Sequence, residues 1–379
     1  MRKRIFFLLS LGVGAVFLSH SSSIGLAAEN DTIDQSSIVR ESALDTMDSQ
    51  LNMNSNKDSL TDTSLFNSLS ENDKAELKKL MSSKEKSPRI IGKAIAHILY
   101  PYIFENNIND NSGEMKGPYE KEFKEGLKWF QEIPKEEWII KKDDGDLRSY
   151  YLKNKVKTTK TVVLIHGFSS QPLYMGAWAK VFYDLGYNVL APELQGHGKS
   201  TIKSRSFGAK DKYDILEWIN KVNDTNGAES EIVISGDSMG ASLSLMMGSM
   251  KDLPKNVTAI IEDCGYSDLT ELFRHMLQKL GFLKEPIIKE LNNLSVKRQG
   301  VSLDDISPIK DAASSTIPLL IIHGDADFAV PTSMAEDIFN ASIASKKKLV
   351  LIEGAGHPTS IVYDLPTYKN EIKNFLTTN

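Results

Sequence analysis

Six short apolar runs constrain the fold of this chain more than any other feature. They are TVVLIH (161–166), YNVLAPE (187–193), EIVISG (231–236), VTAIIED (257–263), PLLIIHG (318–324) and KLVLIEG (348–354). Each is too short for an ordinary helix and too continuously apolar for a strand with one wet face. Stretches with helical spacing separate them, at 175–185, 209–222, 239–251, 333–344 and 364–377. Strands buried on both faces and alternating with helices predict an α/β fold with a mostly parallel central sheet covered by helices. A helix at about 119–130 and the hairpin EEWIIKK-DDGD-LRSYYLKN, with its Asp-Gly turn, predict a small antiparallel start. The 379 residues, 41% hydrophobic and 25% charged, are enough for one large core with segments to spare.

The spare segments lie at the N-terminus. Arg2, Lys3 and Arg4 precede an apolar stretch from Ile5 to about Leu18, and small residues follow at Gly25-Leu26-Ala27-Ala28. That pattern predicts a secretory signal peptide at 1–27 and a mature start near Ala28 or Glu29; the apolar stretch is shorter than the roughly 20 residues of a spanning helix. From Glu29 to Ser70 the chain is acidic and rich in Ser, Asn, Asp and Thr, so a disordered stalk is expected over 28–80. NDKAELKKLM and PRIIGKAIAHILYPYIF have helical spacing, and 81–115 reads as a helical segment packed on the domain or on a partner at the cell surface.

A net charge of −5 gives no general attraction to nucleic acid, and the one basic run, SKKKL at 345–349, leads into an apolar strand as a solvated entrance. The single cysteine, Cys264, excludes an intramolecular disulfide and any cysteine-rich metal site.

Chemistry-bearing residues gather where the apolar runs end, which on such a sheet is where active sites form. IHGFSSQ, GDSMG, HGDADFAVP and EGAGHPT each follow a strand. In GDSMG, residues 236–240, a serine stands between glycines at a strand-to-helix turn. Such a turn raises Ser238 Oγ above the sheet as a nucleophile. A serine hydroxyl attacks only when a base takes its proton, and the base needs a carboxylate to orient it.

From about Lys116 to the C-terminus the chain resembles the α/β-hydrolases of the bacterial serine-esterase and S33-like group. The likeness rests on HGF at 166–168, PELQGHGKS at 192–200, the GDSMG elbow, HGDADFAVP at 323–331 and GAGHPT at 354–359. Many relatives carry Asp and Arg in the pattern D-x-R-G-H-G-x-S where this chain has Glu193 and Gln195, a departure that bears on loop hydrogen bonds. The resemblance implies a hydrolase domain over 116–379 and makes His357 the base among seven histidines. His20 lies in the leader and His97 in the N-terminal helix. His166, His197 and His323 read as structural loop residues, and His275 falls on a cap helix. Asp327 matches the family spacing H-G-x-x-D-x-x-V-P, while Asp325 reads as fastening its own turn. Backbone amides of Phe168 and Met239 are implied as the oxyanion donors, with neither metal nor cofactor.

The insertion at 266–310, with Leu269, Leu272, Phe273, Met276, Leu277 and Leu280 at helical spacing, reads both as an ordinary helix on the core and as a small cap lining an acyl pocket. Cys264 is expected to be buried and inert beside Glu262 and Asp263. The activity implied is hydrolysis of small carboxylic esters through an acyl-enzyme. The alternatives are an S33-like peptidase and a surface-binding protein with an incidental hydrolase domain.

Overall fold

The computed structural model describes residues 70–82, 87–105, 115–227 and 229–377. The leader and most of the stalk lie outside them; residues 71–82, which the stalk boundary at 80 cuts through, form a helix. No helix among the described residues is long and apolar enough to cross a membrane.

Eight strands form one sheet in the order β1-β2-β4-β3-β5-β6-β7-β8. They are β1 Glu136–Lys142, β2 Gly145–Leu152, β3 Lys160–Ile165, β4 Asn188–Pro192, β5 Glu231–Asp237, β6 Val257–Asp263, β7 Leu319–Gly324 and β8 Lys347–Ile352. The β1–β2 and β2–β4 pairs are antiparallel and all others parallel. The hairpin turn is tighter than the DDGD reading: Gly145, at φ 148°, pairs with Lys142, leaving Asp143 and Asp144 as the loop. The helices are α1 Glu71–Ser82, α2 Pro88–Tyr100, α3 Glu120–Glu132, α4 Gly176–Asp184, α5 Asp211–Asn226, α6 Met239–Met247, α7 Leu269–Met276, α8 Lys284–Gln299, α9 Pro308–Ala312, α10 Thr332–Ala341, α11 Ser360–Tyr363 and α12 Leu365–Thr377.

Successive side chains of a strand point to opposite faces, and the two faces bury different cores. Val162 and Leu164 of β3 join a cluster with Phe123, Phe130, Trp178, Tyr368 and Phe375, from α3, α4 and α12. Val163 and Ile165 join the other cluster, which holds Met239, Leu243, Phe273, Leu291 and Trp218. Every residue of β4 is buried, whereas the edge strands β1 and β8 are mostly exposed or half-buried.

Helix α2 resolves the alternative left open by its sequence. Ile91, Ile95, Leu99 and Tyr100 belong to the same cluster as residues of helices α7 and α8, so this segment packs on the domain. Gly92 permits the approach, since a Cβ there would lie 2.5 Å from Pro286 Cβ on α8. Pro101 ends the regular helix, and the chain passes through a wider turn, Pro101–Glu105, that buries Ile103 and Phe104. Helices α7 and α8 and the N-terminal layer thus pack together, and Leu269, Leu272, Phe273, Leu277 and Leu280 of the insertion are buried.

Candidate active site

Ser238 is the single residue between β5 and α6, and it takes φ 52° and ψ −117°. A non-glycine residue there carries strain of about 1–3 kcal/mol, which the surroundings must hold. Its amide donates to Asp263 O at 2.8 Å, and its carbonyl accepts from Ser242 N at 3.0 Å. The flanking glycines serve close approach: a Cβ on Gly236 would lie 2.4 Å from the Gly240 carbonyl carbon, and one on Gly240 2.2 Å from Ile165 O.

Above the elbow the loops after β7 and β8 converge. His357 Nε2 lies 2.8 Å from Ser238 Oγ, and its Nδ1 lies 2.7 Å from Asp327 Oδ2. Asp327 Oδ1 accepts the amides of Ala329 and Val330, each at 2.9 Å. Burial opposes the charge on Asp327, but the His357 and His323 imidazoles outweigh it and hold the carboxyl well below the usual carboxylate range. An ionised carboxylate only accepts, so Nδ1 carries the proton and Nε2 is left to receive the one on Ser238. Asp325 sits elsewhere, accepting Gly354 N at 2.7 Å and tying the β7 turn to the β8 turn.

The remaining histidines hold loops. His166 Nδ1 donates to Gly167 O at 2.8 Å and Nε2 accepts from Leu194 N at 3.2 Å, which sets a neutral tautomer; burial lowers its pKa to about 4. That bond fixes the loop carrying Phe168, and Gly167 lies so near the elbow that a Cβ would meet Asp237 Oδ2 at 2.9 Å. His197 Nδ1 donates to Gln195 O at 2.9 Å, and His323 Nε2 donates to Val330 O at 2.9 Å while lying 3.3 Å from Asp327 Oδ2. His275 Nε2 reaches Phe328 O at 2.8 Å and joins α7 to the acid loop, whereas His97 pairs with Glu290 on α8 at 3.0 Å. Glu193 and Gln195 do bear loop hydrogen bonds, to Lys199 N at 2.8 Å and to Asp214 Oδ2 at 2.6 Å.

Beneath the elbow lie three buried carboxyl groups that the sequence reading did not single out as a set. Burial pushes Asp237 up to about 7, with Asp263 beside it adding to the shift, and pushes Glu262 to about 8. Asp263 rises to about 6 through burial although Trp178 and Tyr368 donate to it. Cys264 follows at φ 56°, and burial and these neighbours raise its thiol well above its ordinary value. Among the described residues, Cys264, Asp327 and His357 bring potential metal-ligating atoms within 4.8 Å of one another. Asp327 and His357 already bond each other and the thiol keeps its proton, so the group is poorly prepared to ligate a metal.

The family model described as BD-FAE matches residues 147–341. The chain belongs to the BD-FAE family. Its fold is the α/β-hydrolase fold, shared with a Pyrococcus furiosus esterase structure at a TM-score of 0.54 and 21% identity, over 72% of this chain and 97% of that one. Bacillus subtilis YqkD, an uncharacterized protein, is 25% identical over 65% of this chain and 81% of its own length. A thermostable monoacylglycerol lipase of Bacillus sp. H-257 is 26% identical over 54% of this chain and 85% of its own. The BD-FAE match contains Phe168, Ser238, Met239 and Asp327; His357 and the helices α1 and α2 lie outside it. One buried charged residue inside it, Arg205, went unnoticed in the sequence because its partners are about a hundred residues away.

Proposed function

We propose that this BD-FAE chain is a serine hydrolase that cleaves small carboxylic esters through an acyl-enzyme on Ser238, and that it is exported. The hydrogen-bond chain from Ser238 Oγ through His357 to Asp327, at 2.8 and 2.7 Å, carries this reading. Ser238 Oγ attacks the ester carbonyl carbon as its proton passes to His357 Nε2, and Asp327 stabilises the imidazolium. The amides of Phe168 and Met239, the latter at the N-terminus of α6, face the developing oxyanion. Collapse of the tetrahedral intermediate breaks the ester C–O bond, and His357 returns the proton to the departing alcohol. Water then attacks the acyl-enzyme with His357 again as base, releasing the acid and restoring Ser238.

The likeness to the monoacylglycerol lipase supports an ester over an amide substrate. The basic, apolar and small-residue order of residues 1–28 supports export. Purified protein assayed on nitrophenyl esters of increasing acyl length beside aminoacyl amides tests the reaction, with a serine-directed phosphonate as label. Ester turnover with phosphonate on Ser238 is the expected result. Turnover confined to the amides would make it a peptidase, and neither turnover nor label would leave a binding protein.

A further inference from the structure

Arg205 is 1% exposed and lies in the roof of the site, in the loop between β4 and α5. Its Nε donates to Ile103 O at 2.8 Å and its Nη2 to Tyr102 O at 2.6 Å, while its own amide donates to Phe104 O at 2.9 Å. Three successive carbonyls of the Pro101–Glu105 turn are thus held by one residue. The guanidinium carbon also lies 4.9 Å from the centre of the Phe168 ring. On the same ring Phe207 stacks at 5.5 Å with 17° between the planes, and Phe104 meets Phe207 edge-on at 5.3 Å. Phe207 takes φ 51°, and its loop is pinned by Asp211, which accepts from Ser206 Oγ at 2.5 Å and Gly208 N at 3.1 Å.

A buried guanidinium is costly, and an apolar side chain could fill the same volume. What an apolar side chain could not do is bond two carbonyls in one plane while lying on an aromatic ring. The consequence is mechanical. The Phe168 ring lies against both Arg205 and Phe207, and Arg205 is tied to a turn of the N-terminal segment. Ring and amide of Phe168 belong to one residue, so fixing the ring restricts where the amide can point.

We propose that Arg205 is a positioning residue for the oxyanion site, tying the Pro101–Glu105 turn onto the Phe168 ring and so holding the Phe168 amide where the tetrahedral intermediate needs it. The inference rests on the ester-hydrolase reading, in which Phe168 supplies that amide. It makes the N-terminal layer part of the catalytic apparatus. A donor that acts in the transition state affects kcat and leaves KM nearly alone.

The test uses Arg205→Lys and Phe104→Ala in the full chain, singly and together, with kcat and KM on a short nitrophenyl ester and the rate of phosphonate labelling. Each single variant is expected to lower kcat and the labelling rate about tenfold with KM within about twofold, since small misplacements of catalytic groups are costly. The double variant should lose little more than the worse single, because both break one chain of contacts. Folded Arg205→Lys protein with kcat and labelling rate within about twofold of wild type would overturn the proposal, as would a loss confined to KM or fully additive losses. Should either variant fail to fold, Phe207→Leu removes the stacking partner of the ring and must show the same split. Failure of the unsubstituted protein to label or turn over would sink the hydrolase reading itself, and so is distinguishable from a failure of positioning.

Discussion

The loops at the strand ends and the roof above them are built differently. At the strand ends, Ser238, Asp327 and His357 are placed by short-range backbone geometry: a positive φ, amides on a carboxylate, and glycines pressed against neighbouring main chain. In the roof, α2, α7, α8 and the Phe104–Phe207–Phe273 cluster meet through side chains, with the buried guanidinium of Arg205 tied to the N-terminal turn. Backbone placement tolerates almost no change. Side-chain placement yields by degrees.

The largest expected effects fall at the strand ends. Ser238→Ala or His357→Ala should each lower kcat on the order of 10⁶-fold, and the double variant little further, because neither group works alone. Asp327→Asn should cost on the order of 10³ to 10⁴ in kcat while leaving residual catalysis from the oxyanion amides. Asp325→Asn, which loosens only the Gly354 contact, should keep most activity in folded protein. A crippled Asp325→Asn beside an active Asp327→Asn would reverse the assignment of the acid.

Two glycine substitutions compare the regions directly. In Gly240→Ala the new methyl would lie 2.2 Å from Ile165 O, a main-chain atom of the central sheet, and a loss of about 3 kcal/mol or more is expected in denaturant melts. In Gly92→Ala it would lie 2.5 Å from Pro286 Cβ between two helices that can shift apart, so about 1–3 kcal/mol is expected with phosphonate labelling retained. Equal losses would mean that the roof is as rigid as the elbow.

The buried acids supply a smaller, pH-dependent effect. Glu262 is pushed from its ordinary 4.5 to about 8, so the folded state keeps this proton longer than the unfolded chain does. Its contribution to stability is full below about 4.5 and is lost as pH rises toward about 8. Glu262→Gln does not titrate and is expected to gain stability over wild type in melts between pH 5 and pH 8.5, on the order of 1 kcal/mol or more. A pH-independent difference would show that this carboxyl titrates alike in both states. The smallest effect belongs to the segment before the described residues: removing 28–69 should leave ester kinetics within about twofold. A large fall in kcat with folded product would extend the functional N-terminal layer beyond α1.

Much of the strand-end architecture was legible because its causes are local. Six continuous apolar runs announce strands covered on both faces, and GDSMG announces a turn that only small flanking residues permit. Ser238 stood out in its own motif, whereas Phe168, Met239, Asp327 and His357 were named through the family resemblance, each in a short motif after a strand. The roof was less legible. PRIIGKAIAHILYPYIF declared a helix, but nothing in its spacing said whether it would cover the domain or a partner.

By itself, then, the sequence determined the α/β layering and the residues offered at each strand end, since periodicity and glycine placement act over a few neighbours. Whether Asp325 or Asp327 meets His357 depended on how two loops converge after strands that pair only in the folded sheet. The same holds for the acids beneath Ser238, whose shifted protonation comes from burial, and for Arg205, whose carbonyl partners lie 102 and 103 residues away in the chain. Desolvation and long-range hydrogen bonds exist only after packing has brought distant segments together, so only the tertiary structure could decide them.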